Sequence, residues 1–371
     1  MARPTVAEIC LSALQHNFQV LRALLPPRTG ILGVVKANGY GHGAVPVARA
    51  LESAGARMLG VATVEEGVEL RTAGIRLPLV VLGGVDPPQA EEAHAHGLSA
   101  VLFDRAQVPG LVRAAGKKGR PFPVHVKVDT GMGRLGFLPR EVAGLLAELS
   151  GIRELRLEGW MTHLSSADGP GAADREYTEA QLRLFAEGIP GVRAAFGGAG
   201  VVVHALNSAG ILAYRGEPFD AVRPGLALYG CSPLPADAGV SLRPVMRVVT
   251  KIVSLKELPD GHAVSYNRRY RCVGARRIAV VPIGYADGYR RGLTGQARMG
   301  VGGRTALVAG TICMDHTMLD VTGIPGVEIG SPVEVMGEAS LSAPEMARLC
   351  GTIPYEILTQ VGSRIPRVPV D

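Results

Sequence analysis

Cysteine is scarce in this chain and poorly placed for pairing. Its five residues, Cys10, Cys231, Cys272, Cys313 and Cys350, are odd in number, scattered, and form no C-x-x-C pair. That argues against a structural zinc site or a disulfide framework and points to a reducing cytoplasm. No apolar run approaches the ~18 residues of a membrane helix, so no span is expected. The start, Met1-Ala2-Arg3-Pro4-Thr5, has no apolar segment behind it, so no secretory signal is expected. Aromatic residues make up only 5%, and the densest basic groups, Arg268-Arg269 with Arg271 and Arg276-Arg277, are short. The net charge of +6 therefore suits a small anionic ligand better than nucleic acid. Charged residues are few, at 19%, against 47% hydrophobic, which places the chain among globular proteins rather than disordered ones. Its 371 residues suffice for one large or two ordinary domains.

Thr5–Ile9 reads as a short strand, and Ser12 as the N-cap of a helix carrying Leu14, Phe18, Leu21 and Leu25. Pro26-Pro27 stops it. A rhythm then begins. Eight apolar runs rich in β-branched residues alternate with amphipathic segments: 31–36, 58–62, 79–82, 99–103, 124–128, 157–164, 201–206 and 221–229. Strands apolar on both faces, alternating with helices, imply a parallel sheet covered on both sides. Eight units in about 200 residues fit a (β/α)8 barrel, with a doubly wound open sheet as the competitor. From Val245 onward strands and turns dominate: 245–255, 262–266, 278–283, 306–312, 318–321 and 332–335, plus a helix at 343–349 capped by Ser342. The expected organisation is a barrel over 11–235 and a mostly β domain over 236–371, with the strand in 1–10 a candidate addition to the second.

Functional residues of barrels sit at the C-terminal ends of strands. Here those ends are Lys36, Thr63, Lys127 with Asp129, His163, Asn207-Ser208, and Arg223 with Gly225. No metal-ligand cluster, glycosidase carboxylate pair or G-x-S-x-G elbow stands out among them. Lys36 ends an apolar run and enters a glycine-studded turn, Val34-Val35-Lys36-Ala37-Asn38-Gly39-Tyr40-Gly41-His42-Gly43. Alone it reads equally as a covalent-chemistry lysine or as a strand cap paired with a carboxylate. Ser208 and Gly225 follow the seventh and eighth runs, where barrels bind phosphate, though Asn207-Ser208 also suits a helix cap. A lysine, a phosphate corner and an arginine in one mouth suggest pyridoxal phosphate (PLP) held as a Schiff base. Arg223 would then face the pyridine nitrogen, with His163 orienting it. Gly131-Met132-Gly133-Arg134-Leu135-Gly136 is a literal G-x-G-x-x-G, but Pro139 follows its third glycine too closely for a dinucleotide site. Those glycines are expected to shape a turn that aims Arg134 inward.

Together these blocks resemble the bacterial alanine racemases. Val34–Gly43 looks like that family's PLP-lysine signature. The resemblance continues through Val126–Gly136, Met161-Thr162-His163, Asn207-Ser208-Ala209, Val222-Arg223-Pro224-Gly225, Val264-Ser265-Tyr266-Asn267, Ile283–Gly288, Ile312-Cys313-Met314-Asp315 and Pro354-Tyr355-Glu356. It implies racemisation of alanine by two bases, Lys36 and a Tyr266 reaching in from the partner subunit of a homodimer. D-alanine for the cell wall would be its product. It implies that Tyr40, Ser208, Gly225, Leu226 and Tyr355 hold the phosphate. Arg134 and Met314 would bind the substrate carboxylate, and Tyr285 would narrow the entrance. Lys127 would carry a carbamate, the alternative being a salt bridge to Asp129. Cys10 and His316 depart from the usual pattern, and His316 bears on substrate range. A broader amino-acid racemase, a barrel-type PLP decarboxylase and a non-catalytic PLP carrier are the other readings.

Overall fold

The computed structural model describes residues 3–196, 200–214, 219–234 and 239–371, so the expected boundary at 235/236 lies outside the described residues. The chain divides into two compact units. One comprises Gln15–Gly39 and Ala44–Leu242, and the other Met1–Leu14, Tyr40–Gly43 and Arg243–Asp371.

The first strand, β1 (Val6–Cys10), belongs to the second unit. The larger unit holds the next eight: β2 (Gly30–Val34), β3 (Met58–Val61), β4 (Leu79–Val81), β5 (Leu98–Leu102), β6 (Phe122–Lys127), β7 (Leu155–Met161), β8 (Val202–His204) and β9 (Ala221–Val222). They pair in parallel, each with its successor, and β9 returns to β2 through Gly30–Ala221 and Ile31–Val222. The sheet is closed, and the open-sheet alternative is excluded. Every residue of β3, β4, β5 and β6 is buried. This is the cause of the unbroken apolar runs: one face fills the barrel and the other meets helices. Each predicted run lies on one barrel strand, though 221–229 is a two-residue strand continued as a 3-10 turn, Leu226–Tyr229.

The barrel interior is not wholly apolar. His125 lies on β6, two residues before Lys127, and His204 ends β8. Gly159 on β7 makes room for them, because a Cβ there would lie 1.9 Å from His125 Nδ1.

The smaller unit is built on a nine-stranded sheet. Its further strands are β10 (Met246–Lys251), β11 (Ser254–Leu258), β12 (Ala263–Val264), β13 (Tyr270–Arg271), β14 (Arg276–Val281), β15 (Arg298–Val301), β16 (Arg304–Val308), β17 (Thr317–Asp320), β18 (Pro332–Met336) and β19 (Arg367–Val370). The sheet order is β11-β14-β17-β16-β15-β18-β10-β1-β19. β1 pairs antiparallel with β10 and parallel with β19, so the first strand joins the C-terminal sheet. The run expected over 245–255 is two strands. The strand at 298–301 and that at 367–370 had no separate signal. The helix Ala343–Leu349 has its predicted cap: Ser342 Oγ accepts from Glu345 N–H, and Glu345 Oε2 accepts from Ser342 N–H. Off the sheet, β12 and β13 form a short hairpin whose tip carries Tyr266.

Replacing Gly159 by alanine should force His125 aside and destabilise the fold by ~1–3 kcal/mol, as overpacking does. Chemical denaturation of the variant beside the wild type measures it.

Candidate active site

The lysine turn comes first. β2 ends at Val34, and Lys36 opens a turn in which Ala37, Asn38 and Gly39 all have positive φ (52°, 54° and 61°). Each non-glycine residue in that region costs ~1–2 kcal/mol. Three hydrogen bonds offset the strain: Gly39 N–H to Val35 O at 2.8 Å, Ala37 N–H to Glu66 Oε1 at 2.6 Å, and Ala44 N–H to Asn38 Oδ1 at 2.8 Å. Glu66 also accepts from Ala62 N–H at 2.6 Å, so one carboxylate ties the exits of β2 and β3 together. Sequence reading had not singled out Glu66. Burial, then the charge of Arg134, lowers the Lys36 pKa, opposed by Glu66, so its amine lies closer to its nucleophilic form.

The glycine motif after β6 proves to be a turn wrapped around a carboxylate. Asp129 accepts the N–H groups of Gly131, Met132 and Gly133 on Oδ1, at 2.8–3.1 Å, and that of Arg134 on Oδ2 at 3.1 Å. Amides that would cradle a pyrophosphate in a dinucleotide site are therefore occupied. Gly136 (φ 128°) lets the chain fold back, since a Cβ there would stand 2.7 Å from Asp129 N. With its carboxylate so engaged, Asp129 forms no ion pair with Lys127. Lys127 is buried, and its pKa falls to about 8 through burial, then Arg134 and Arg223.

Arg223, just past β9, is the best-anchored cation. Its Nη1 donates to His204 Nδ1 (2.9 Å) and His204 O (2.7 Å). Its Nη2 donates to Thr162 O (2.5 Å) and Ala205 O (2.8 Å) and lies 3.4 Å from His163 Nδ1. No carboxylate is among these partners. Burial pulls the guanidinium down to about 9, which still leaves it charged at neutral pH. His163 was expected to orient Arg223; the shorter bond is to His204, at the end of β8. Arginine can only donate, so His204 Nδ1 accepts and its Nε2–H points to His125 Nδ1, 2.9 Å away. Burial, then Arg223, pushes His163 and His204 well below the usual imidazole range and His125 to about 3. The available signal was period-two spacing: His125 shares a strand face with Lys127, and that face fills the barrel.

Asn207 caps the helix Ser208–Ala213 through Gly210 N–H, leaving Ser208 free for another task. Ser208 Oγ accepts the N–H groups of Gly225 (3.0 Å) and Ala227 (3.2 Å). Backbone donors thus converge on one oxygen, with Leu226 between them. The larger unit gathers Lys36, Lys127, Arg134, His163, Ser208, Arg223, Gly225 and Leu226, and the carboxylates nearest Lys36 and Lys127 are spent on backbone amides.

Family models for the alanine racemase N-terminal domain (residues 9–233) and C-terminal domain (residues 245–369) match the chain. The chain belongs to the alanine racemase family. The alanine racemase of Geobacter sulfurreducens is 41% identical over 99% of this chain and 97% of its own length, and that of Sorangium cellulosum is 43% identical over 98% of each. The structure of alanine racemase from Clostridium difficile 630 superposes with a TM-score of 0.92 at 33% identity, covering 100% of this chain and 96% of that one. The Bacillus anthracis alanine racemase with bound L-Ala-P gives 0.90 at 34% identity, with the same coverage.

The smaller unit holds the remaining residues expected at the site. Tyr40 and Tyr355 face each other with ring centroids 5.8 Å apart. Tyr266 is 66% exposed, held by its backbone: Ser265 Oγ donates to Thr311 O, and Thr311 Oγ1 donates to Tyr266 O. Ser265, Asn267 and Arg268 around it all have positive φ, a strain typical of functional loops. Tyr285 N–H reaches Cys313 O (3.0 Å), and Ala286 N–H reaches Met314 O (3.1 Å), so Tyr285 and Met314 lie on paired loops. Cys10 Sγ lies 3.3 Å from Ser12 Oγ, and His316 O accepts from Cys313 N–H.

Replacing Glu66 by alanine should leave two amide donors short of an acceptor and cost ~1–3 kcal/mol. Chemical denaturation would read the loss, and hydrogen exchange at the Ala37 and Ala62 amides should quicken.

Proposed function

We propose that this chain interconverts L- and D-alanine with PLP held on Lys36, as a homodimer in the cytoplasm that supplies D-alanine for the cell wall. The observation that carries the reading is Arg223: a buried guanidinium bound only by neutral acceptors, in the same unit as Lys36 and the donor corner at Ser208. These residues fit PLP. The lysine amine is shifted toward its reactive form, the Ser208 hydroxyl, accepting from Gly225 and Ala227 N–H, keeps its own proton to donate to a phosphate, and Arg223 offers a donor to a pyridine nitrogen. Bound there, PLP would act as a restrained electron sink that acidifies the α-proton of an amino acid.

The chain's own groups do the rest. Lys36 removes or returns the α-proton on one face. Tyr266 of a second copy serves the other face, which its 66% exposure in a single chain supports. Tyr40, Ser208, Gly225, Leu226 and Tyr355 hold the phosphate. Arg134 and Met314 take the substrate carboxylate, and Arg134 also steadies the Tyr266 phenolate. Tyr285 and Tyr355 narrow the entrance. His163 and His204 keep Arg223 in place; since arginine keeps its proton, the pyridine nitrogen stays unprotonated. A barrel decarboxylase would be expected to place an acid there instead.

Lys127 carries a carbamate. A buried amine beside three cations gains by becoming an anion, and a pKa of about 8 leaves about a tenth of it neutral and able to react at pH 7. No helix among the described residues is long and apolar enough to cross a membrane.

Lys36→Ala should abolish both the visible PLP band and racemisation, and an unchanged spectrum would reject the assignment. Tyr266→Phe should lower kcat by ~10²–10⁴-fold, while α-proton exchange in deuterated water survives for one enantiomer only. Native mass spectrometry should find one CO2 per chain, lost in Lys127→Arg.

A further inference from the structure

The loops that carry Tyr285 and Met314 share an ionic clamp. At its centre is Asp287, whose side chain is fully buried. Arg3 grips both of its oxygens, Nη1 to Oδ1 at 2.6 Å and Nη2 to Oδ2 at 2.5 Å. Gly284 N–H donates to Oδ2 at 3.0 Å. Arg364 approaches Oδ1 with Nε at 3.0 Å and Nη2 at 2.9 Å. Its remaining nitrogen, Nη1, lies 2.9 Å from Asp315 Oδ1. One guanidinium thus bridges the carboxylate two residues after Tyr285 to the carboxylate one residue after Met314. Two arginines and two aspartates balance in charge.

The clamp's two arms differ in kind. Asp287 is buried and multiply bonded, so its arm secures the fold. Arg364 and Asp315 are each 47% exposed, so theirs adds little stability. What that arm can set is geometry. Gly284 brings the loops close, since a Cβ there would stand 2.2 Å from Cys313 O. The backbone bonds at Tyr285 and Ala286 then fix the spacing on one side. Beyond Met314, Asp315 is fastened to the Tyr285 loop by the Arg364 bridge.

We propose that Arg364, acting through Asp315, is a positioning residue that sets the gap between Tyr285 and Met314 and so the side-chain size the enzyme accepts. This rests on the reading above, in which both residues line the substrate's approach. Arg364→Lys keeps the charge but cannot span two carboxylates, and Asp315→Asn frees the exposed arm while Asp287 keeps both arginines.

The full-length, PLP-loaded proteins are assayed with L-alanine and with L-2-aminobutyrate, one methylene larger. In both variants KM for alanine should rise about two- to fivefold, the factor for a partly exposed ion pair. The alanine preference in kcat/KM should shrink by a similar factor. The PLP absorption band and the thermal midpoint of Asp315→Asn should match wild type, which a purely structural role for the bridge would not give. An unchanged substrate ratio in Asp315→Asn overturns the proposal, whether or not Arg364→Lys folds. A wild type that binds PLP yet racemises neither substrate overturns the functional reading, and this one with it.

Discussion

Arg223 is a cation buried without a counter-anion among the described residues, and much of the barrel mouth follows from that. Two imidazole nitrogens and three carbonyls surround it. Burial, and then its charge, holds His163 and His204 neutral, and its donors fix the direction of the bond from His204 to His125. Burial, then Arg134 and Arg223, likewise lowers Lys127. A mouth with unpaired positive charge favours anions, and the proposed phosphate, substrate carboxylate and Lys127 carbamate would each supply one.

Carboxylates in the barrel are directed at the backbone instead. Asp129 organises the turn before Arg134, and Glu66 joins the ends of β2 and β3 behind Lys36. Each keeps its negative charge close to a cation without a direct ion pair. Left-handed backbone appears at 37–39 and again around Tyr266, the two places where the proposed bases lie. Strain at both suggests that side-chain direction was fixed at the expense of local conformational preference, with hydrogen bonds offsetting the cost.

Much of this was legible in the residues. The barrel strands announce themselves by apolar runs, because burial on both faces, complete in β3 to β6, leaves little polar alternation to confuse them. Strand ends follow, and with them Lys36, His163, Ser208, Arg223 and Gly225. The signal at Ser342 located its helix because a capping box is a local arrangement. Less was visible in the smaller unit. Arg298–Val301 and Arg367–Val370 are short, and the second finds its partner in β1, some 360 residues earlier, to which no local pattern points.

By itself, then, the sequence determined the alternating β/α architecture, the lysine at a strand mouth and the ordered blocks of an alanine racemase, since these rest on periodicity and neighbouring residues. Tertiary structure decided what each charged group faces. It gave Arg223 to His204 more closely than to His163, turned Asp129 onto its own loop, and set Arg364 between Asp287 and Asp315. Those choices depend on hydrogen-bond partners brought together by barrel closure and sheet pairing. Partners of that kind leave no spacing in the chain from which they could be read.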